Sequence, residues 1–169
     1  NEAAETLHKQ PVDLLGIKAA GMTDNYIVRQ ILLNVLGREP SAKEIASLCV
    51  KYEELLPKYL DMKYGVVMPR VLETLEELNK RDDCRLLLLT GNSKVGARLK
   101  MQRFGMEKFF DFECSAFAFE HEERIGIARH ALNMAKQHWP EVSRKDIWVI
   151  GDTPNDILCG KGINVQTIG

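Results

Sequence analysis

The chain has 169 residues, 45% hydrophobic and 28% charged, with a formal net charge of −1, a balance that fits one sizeable folded core and argues against disorder. Lysine and arginine are interspersed with aspartate and glutamate and form no basic stripe, which excludes a nucleic-acid footprint and points to small-molecule partners. The four cysteines, Cys49, Cys84, Cys114 and Cys159, stand too far apart for a zinc site or a disulfide framework, and no apolar run reaches bilayer length, so no membrane role and a cytoplasmic location are expected.

The opening "NEAAETLHKQ" reads as helix, without an initiator Met or a secretory signal, and the expectation is that the chain begins inside a longer protein. In "YIVRQILLNVLG", Ile27, Val28, Ile31, Leu32, Val35 and Leu36 recur on one helical face, with Thr23 placed to cap the start and Gly37 the end. In "SAKEIASLCVKYEELLPKYL", Ser41 and Glu44 have capping-box spacing, and Ile45, Leu48, Cys49, Tyr52, Leu55, Leu56 and Tyr59 make one stripe. Pro57 is expected to bend the last turn.

"KYGVVMP" reads as a linker, after which the grammar changes. Pro69 suits a helix start, with Val71, Leu72, Leu75 and Leu78 on one face. "CRLLLLTGNS" predicts a strand buried on both faces, followed by a helix from about Ser93 to Arg103. A short strand is expected around Phe112, and a helix over 123–138. "DIWVIGD" predicts a second buried strand, "NDILCGKG" a short helix and "NVQTIG" a third strand. Alternating strands and helices predict an α/β protein: a Rossmann-like parallel sheet covered by helices, residues 67–169, preceded by a helical domain over 1–66.

Ligands of open parallel sheets sit at the carboxyl ends of the strands. Thr90 ends one strand with a hydroxyl, and Gly91 and Asn92 lead into a helix whose backbone N–H groups suit an anion. The alternative is that Thr90 caps that helix and Gly91 only makes the turn. Asp152 and Asp156 end the other strand with hard oxygens suited to Mg2+, or "TPND" is a turn in which Asn155 or Asp156 caps the next helix. Arg124 either neutralises phosphate charge or is a surface charge in "EHEER", the reading that composition favours. His121 and His130 lack a spaced partner for a metal or a triad and receive no role.

Together these residues resemble the haloacid dehalogenase-like superfamily of phosphohydrolases, particularly its phosphoglycolate phosphatase-like and phosphoglucomutase-like members with a helical cap. "LLLLTGNSKVGARLK" resembles the second motif, whose hydroxyl binds the transferring phosphoryl group, here Thr90. "VIGDTPNDILCG" resembles the fourth, GDxxxD, in which Asp152 would bind Mg2+ and Asp156 support the metal site. The third motif is one basic residue, for which Arg124 is best placed. "GMTDNYIVRQIL" resembles the cap segment, so Thr23 and Asp24 become candidate substrate contacts, with helix capping the favoured role for Thr23. The implied partner is a small phosphate monoester, and oligomeric state stays open.

The first motif, DxDx[TV], which supplies the nucleophilic and acid–base aspartates, has no counterpart here. "RDDC" sits in a helix-to-strand turn and "FDFE" follows the second motif, so neither fits in chain order. The resemblance implies that this motif precedes Asn1 on the central strand of the sheet and that the sheet continues past Gly169. The expected function is Mg2+-dependent phosphate monoester hydrolysis through a phosphoaspartate in the full-length protein, with this chain inactive alone. A phosphomutase or another hydrolase of the family, and a non-catalytic binding protein with the same fold, are the alternatives.

Overall fold

Helix α1 spans Glu2–His8, α2 Asp24–Leu36 and α3 Ala42–Asp61 in the computed structural model, which describes residues 2–9, 11–17, 19–62, 65–118 and 123–169. Local chemistry sets their ends. The Thr23 hydroxyl accepts from Tyr26 N at 3.1 Å, and Gly37 N donates to Leu33 O at 3.0 Å to close α2. At the start of α3, Ser41 N donates to the Glu44 carboxylate at 2.8 Å while Glu44 N donates to Ser41 Oγ at 3.3 Å, the reciprocal pair expected from the spacing. Pro57 lies inside α3 without ending it.

The apolar faces of these helices meet. Val28, Ile31 and Leu32 of α2, Leu48 of α3, Ala4 of α1 and Val12 form one core. Leu32 and Leu48 are almost fully buried, and each such leucine contributes on the order of 1.5–3 kcal/mol. Lys58 and Tyr59 near the end of α3 both donate to the Glu2 carboxylate, which holds α1 against α3.

The second half carries α4 (Val71–Asn79), α5 (Lys94–Arg103), α6 (Arg124–His138) and α7 (Pro154–Gly162), with β1 at Trp148–Ile150 and β2 at Gln166–Ile168. The strands β1 and β2 are parallel, with Val149 opposite Thr167. Helices α6 and α7 cover one face of this pair through Ala128, Leu132, Val149, Cys159 and Val165. The molecule is mostly helical with a small parallel sheet.

Three expectations about strands are corrected. The run ending in "LLLLT" is extended but forms only a single parallel bridge, Leu89 to Ala116, and its leucines are half-buried. Its bonds run to one side: Ala116 N donates to Leu88 O at 2.8 Å and Thr90 N to Ala116 O at 3.1 Å. Among the described residues, Leu87 and Leu89 on the opposite edge make no backbone hydrogen bond. An apolar run of this kind marks an environment with neighbours on both sides, and here one neighbour is present.

Phe112 is buried but lies in a bend and stacks on Phe117, so the paired segment comes later, at Ala116. In β1 only Val149 is buried; Trp148 and Ile150 are 54% and 67% exposed. Among the described residues the edge of β1 away from β2 is unpaired as well.

Candidate functional site

The ends of the two unpaired edges border one cavity of about 820 Å3, lined by Leu89, Thr90, Gly91 and Asn92 on one side and Ile150, Gly151 and Asp152 on the other. Arg124, Asp156 and Asp24 also border it. Residues far apart in the sequence, singled out for their chemistry, are thus brought together.

Thr90 does not cap α5. Ser93 does, its hydroxyl accepting from Gly96 N at 3.0 Å, while Thr90 Oγ1 accepts from Asn92 N at 3.2 Å in a turn of its own. Gly91 is required by close approach. A Cβ there would lie 2.7 Å from Met22 O and 3.1 Å from Thr23 Cα, and the Gly91 carbonyl accepts from Asp24 N at 2.7 Å. The turn after Thr90 is therefore pinned against the start of α2.

The Asp24 carboxylate completes that junction. It accepts from Ser93 N at 2.9 Å and from Asn92 Nδ2 at 3.3 Å, placing a negative charge at the positive end of α5. Glu53 of α3 accepts from Ser93 Oγ at 2.5 Å. Asp24 borders the cavity with its oxygens engaged by protein donors. Thr23 is 1% exposed and does not line the cavity, in keeping with its capping role.

Arg124 is no surface charge. It opens α6, its side chain is 18% exposed, and its guanidinium is ion-paired with Asp156. The other carboxylate oxygen of Asp156 accepts from Thr153 N at 3.1 Å and Thr153 Oγ1 at 2.7 Å, so Thr153 is the N-cap of α7 and Asp156 reaches back to it from the first turn, as in a capping box. Gly151 leaves the room it needs, since a Cβ there would overlap the Asp156 carboxylate. Asn155 donates from Nδ2 to Gly21 O at 2.9 Å, a second tie between this turn and the segment before α2. Burial pushes the nearby Cys159 thiol above its usual pKa, with Arg124 acting against the shift.

Asp152 differs from Asp156. It is exposed at the cavity and, among the described residues, makes no hydrogen bond or ion pair. A free carboxylate beside Thr90 fits Mg2+, which takes one or two carboxylates, substrate phosphate and water. Among the described residues no three His, Cys, Asp or Glu side chains converge on a metal position.

Sequence reasoning missed Glu53, Lys100 and the ties through Asn92 and Asn155. Lys100 Nζ donates to Asn92 Oδ1 at 2.9 Å, and its amine is held below the usual lysine range by burial, with Asp24 opposing. The Ser93–Asp24 and Asn155–Gly21 contacts join residues 69 and 134 positions apart. His121 and part of "EHEER" lie outside the described residues.

A hydroxyl, a backbone turn, a guanidinium and a free carboxylate thus border one cavity at the ends of extended segments. The family model described as haloacid dehalogenase-like hydrolase matches residues 15–169, and the chain belongs to that family. No curated protein matches its sequence. Among the described residues no helix is long and apolar enough to cross a membrane.

Proposed function

We propose that the chain belongs to a Mg2+-dependent phosphate monoester hydrolase, with a helical cap over residues 1–66 and a Rossmann-like core over 67–169. The observation that carries this reading is the convergence of Thr90, Gly91, Arg124 and Asp152 on one cavity. Thr90 would donate to a phosphoryl oxygen, Gly91 would offer its N–H, and the Arg124 guanidinium, oriented by Asp156, would offset the charge that develops in transfer. Asp152 would hold Mg2+, whose chemistry here is to neutralise phosphate charge.

The nucleophile must come from elsewhere. Among the described residues the carboxylates that border the cavity are Asp24, Asp152 and Asp156, and two of them are engaged by protein donors. The edges at Leu87 and Leu89 and at Trp148 and Ile150 are unpaired among the described residues, and a parallel strand that paired with both would carry its last residues toward Thr90 and Asp152. An aspartate there would attack phosphorus as the P–O bond to the alcohol breaks and the alcohol leaves with a proton, forming a phosphoaspartate that water hydrolyses to inorganic phosphate and the free aspartate.

The same observation favours a second reading, a protein that binds phosphate esters without turning them over. The test is release of nitrophenolate from p-nitrophenyl phosphate with Mg2+. The 169-residue chain alone is expected to release none, and Mg2+-dependent turnover by it would contradict the assignment of the nucleophile to another segment.

A further inference from the structure

Lys100 and Tyr52 border the same cavity as Thr90 and Arg124 but take no part in the phosphoryl site just described. Both are half-buried. The Lys100 ammonium has one acceptor, Asn92 Oδ1 at 2.9 Å, and among the described residues no carboxylate is ion-paired with it. An ammonium taken from water without a counter-ion is left uncompensated. Asp24 is the charge that favours its protonated form, yet both Asp24 oxygens are occupied by Ser93 N and Asn92 Nδ2.

The Tyr52 hydroxyl of α3 makes no hydrogen bond among the described residues. Burial, then Asp24 and Glu53, hold its phenol neutral far above ordinary pH, so it remains an O–H donor. An ammonium with one neutral acceptor and a phenol O–H thus border the cavity that Thr90 and Arg124 also line. Beside them the wall is apolar, through Ile27, Met101 and Met106.

We propose that Lys100 and Tyr52 form a second anion subsite, which holds a carboxylate or a second phosphate on the alcohol portion of a phosphate monoester. This rests on Thr90 and Arg124 being the phosphoryl site. The subsite selects substrate from α3 and α5 together: Tyr52 supplies a neutral donor, and Lys100 supplies the charge. An ester with an uncharged alcohol portion leaves the ammonium with its Asn92 bond and no counter-ion.

The test is titration calorimetry of the 169-residue chain with inorganic phosphate, ethylphosphonate, 3-phosphonopropionate and ethane-1,2-diphosphonate. Binding of at least one of the two probes with an anionic tail about tenfold or more tighter than ethylphosphonate is expected, the scale of one charge-assisted hydrogen bond. The tighter of the two identifies the tail as carboxylate or phosphate.

In Lys100→Met the preference collapses, in Tyr52→Phe it weakens, and in Lys100→Arg it is retained, with unchanged circular dichroism spectra showing that the variants fold. Phosphate binding without any preference, or a preference that survives Lys100→Met, overturns the subsite and leaves the phosphoryl site standing. Failure of every probe, inorganic phosphate included, overturns both.

Discussion

Arg124, the first residue of α6, is ion-paired with Asp156 in the first turn of α7, and the two side chains are 18% and 12% exposed. The pair links the helix that precedes β1 to the one that follows it, and it orients the guanidinium at the cavity. Replacing Arg124 by Met leaves a largely buried carboxylate uncompensated. Urea unfolding should show a loss of about 3 kcal/mol, the low end for a buried pair deprived of one partner because some solvent reaches both groups.

Gly91 is where the turn after Thr90 touches the segment leading into α2. Gly91→Ala places a methyl 2.7 Å from the Met22 carbonyl oxygen, and a backbone atom cannot rotate away. Thermal unfolding of this variant is expected to show a destabilisation of about 3 kcal/mol, the upper end for overpacking. Hydrogen exchange should quicken at Asp24 N, whose bond to Gly91 O is lost first.

Helix ends were legible in the sequence because their chemistry is local. Thr23 and Tyr26, or Ser41 and Glu44, lie three residues apart, and their types announce the bond. The apolar run before Thr90 was legible as a segment bound for a sheet, but a ladder needs a partner on each side, and among the described residues the run has one bridge, to Ala116. Asp24 was legible as a residue near the site, whereas its grip on Ser93 and Asn92 follows from how the helices pack, which no local pattern records. Asp156 shows the same limit: its place in the turn could be read, but the burial of Arg124 against it could not.

Lys100 carries a cost that depends on pH. Its folded-state pKa lies below the ordinary lysine value of 10.5 because burial disfavours the charged form. The unfolded chain then binds the proton more tightly, so the cost is full below the folded pKa and is relieved as pH rises toward 10.5. Lys100→Met should therefore be more stable than the parent at neutral pH, with the difference shrinking in alkaline solution, as read by denaturant midpoints across pH.

Glu44 titrates in the opposite sense. Hydrogen bonds from Arg38 first, then from Ser41, lower its pKa from 4.5 to about 2. Its contribution is complete above 4.5 and is lost as pH falls through about 2. Carboxyl chemical shifts followed by NMR should place the midpoint near 2, and Arg38→Ala should move it back toward 4.5.

The most direct test of the account is binding of inorganic phosphate in the presence of Mg2+, measured by calorimetry on the 169-residue chain and on Thr90→Val and Asp152→Asn. The account predicts binding by the parent, weakened by about tenfold or more in Thr90→Val through loss of a charge-assisted hydrogen bond, and independent of Mg2+ in Asp152→Asn. Phosphate binding that ignores both substitutions, or no binding at all, would contradict the placement of a phosphoryl site at the ends of these two segments.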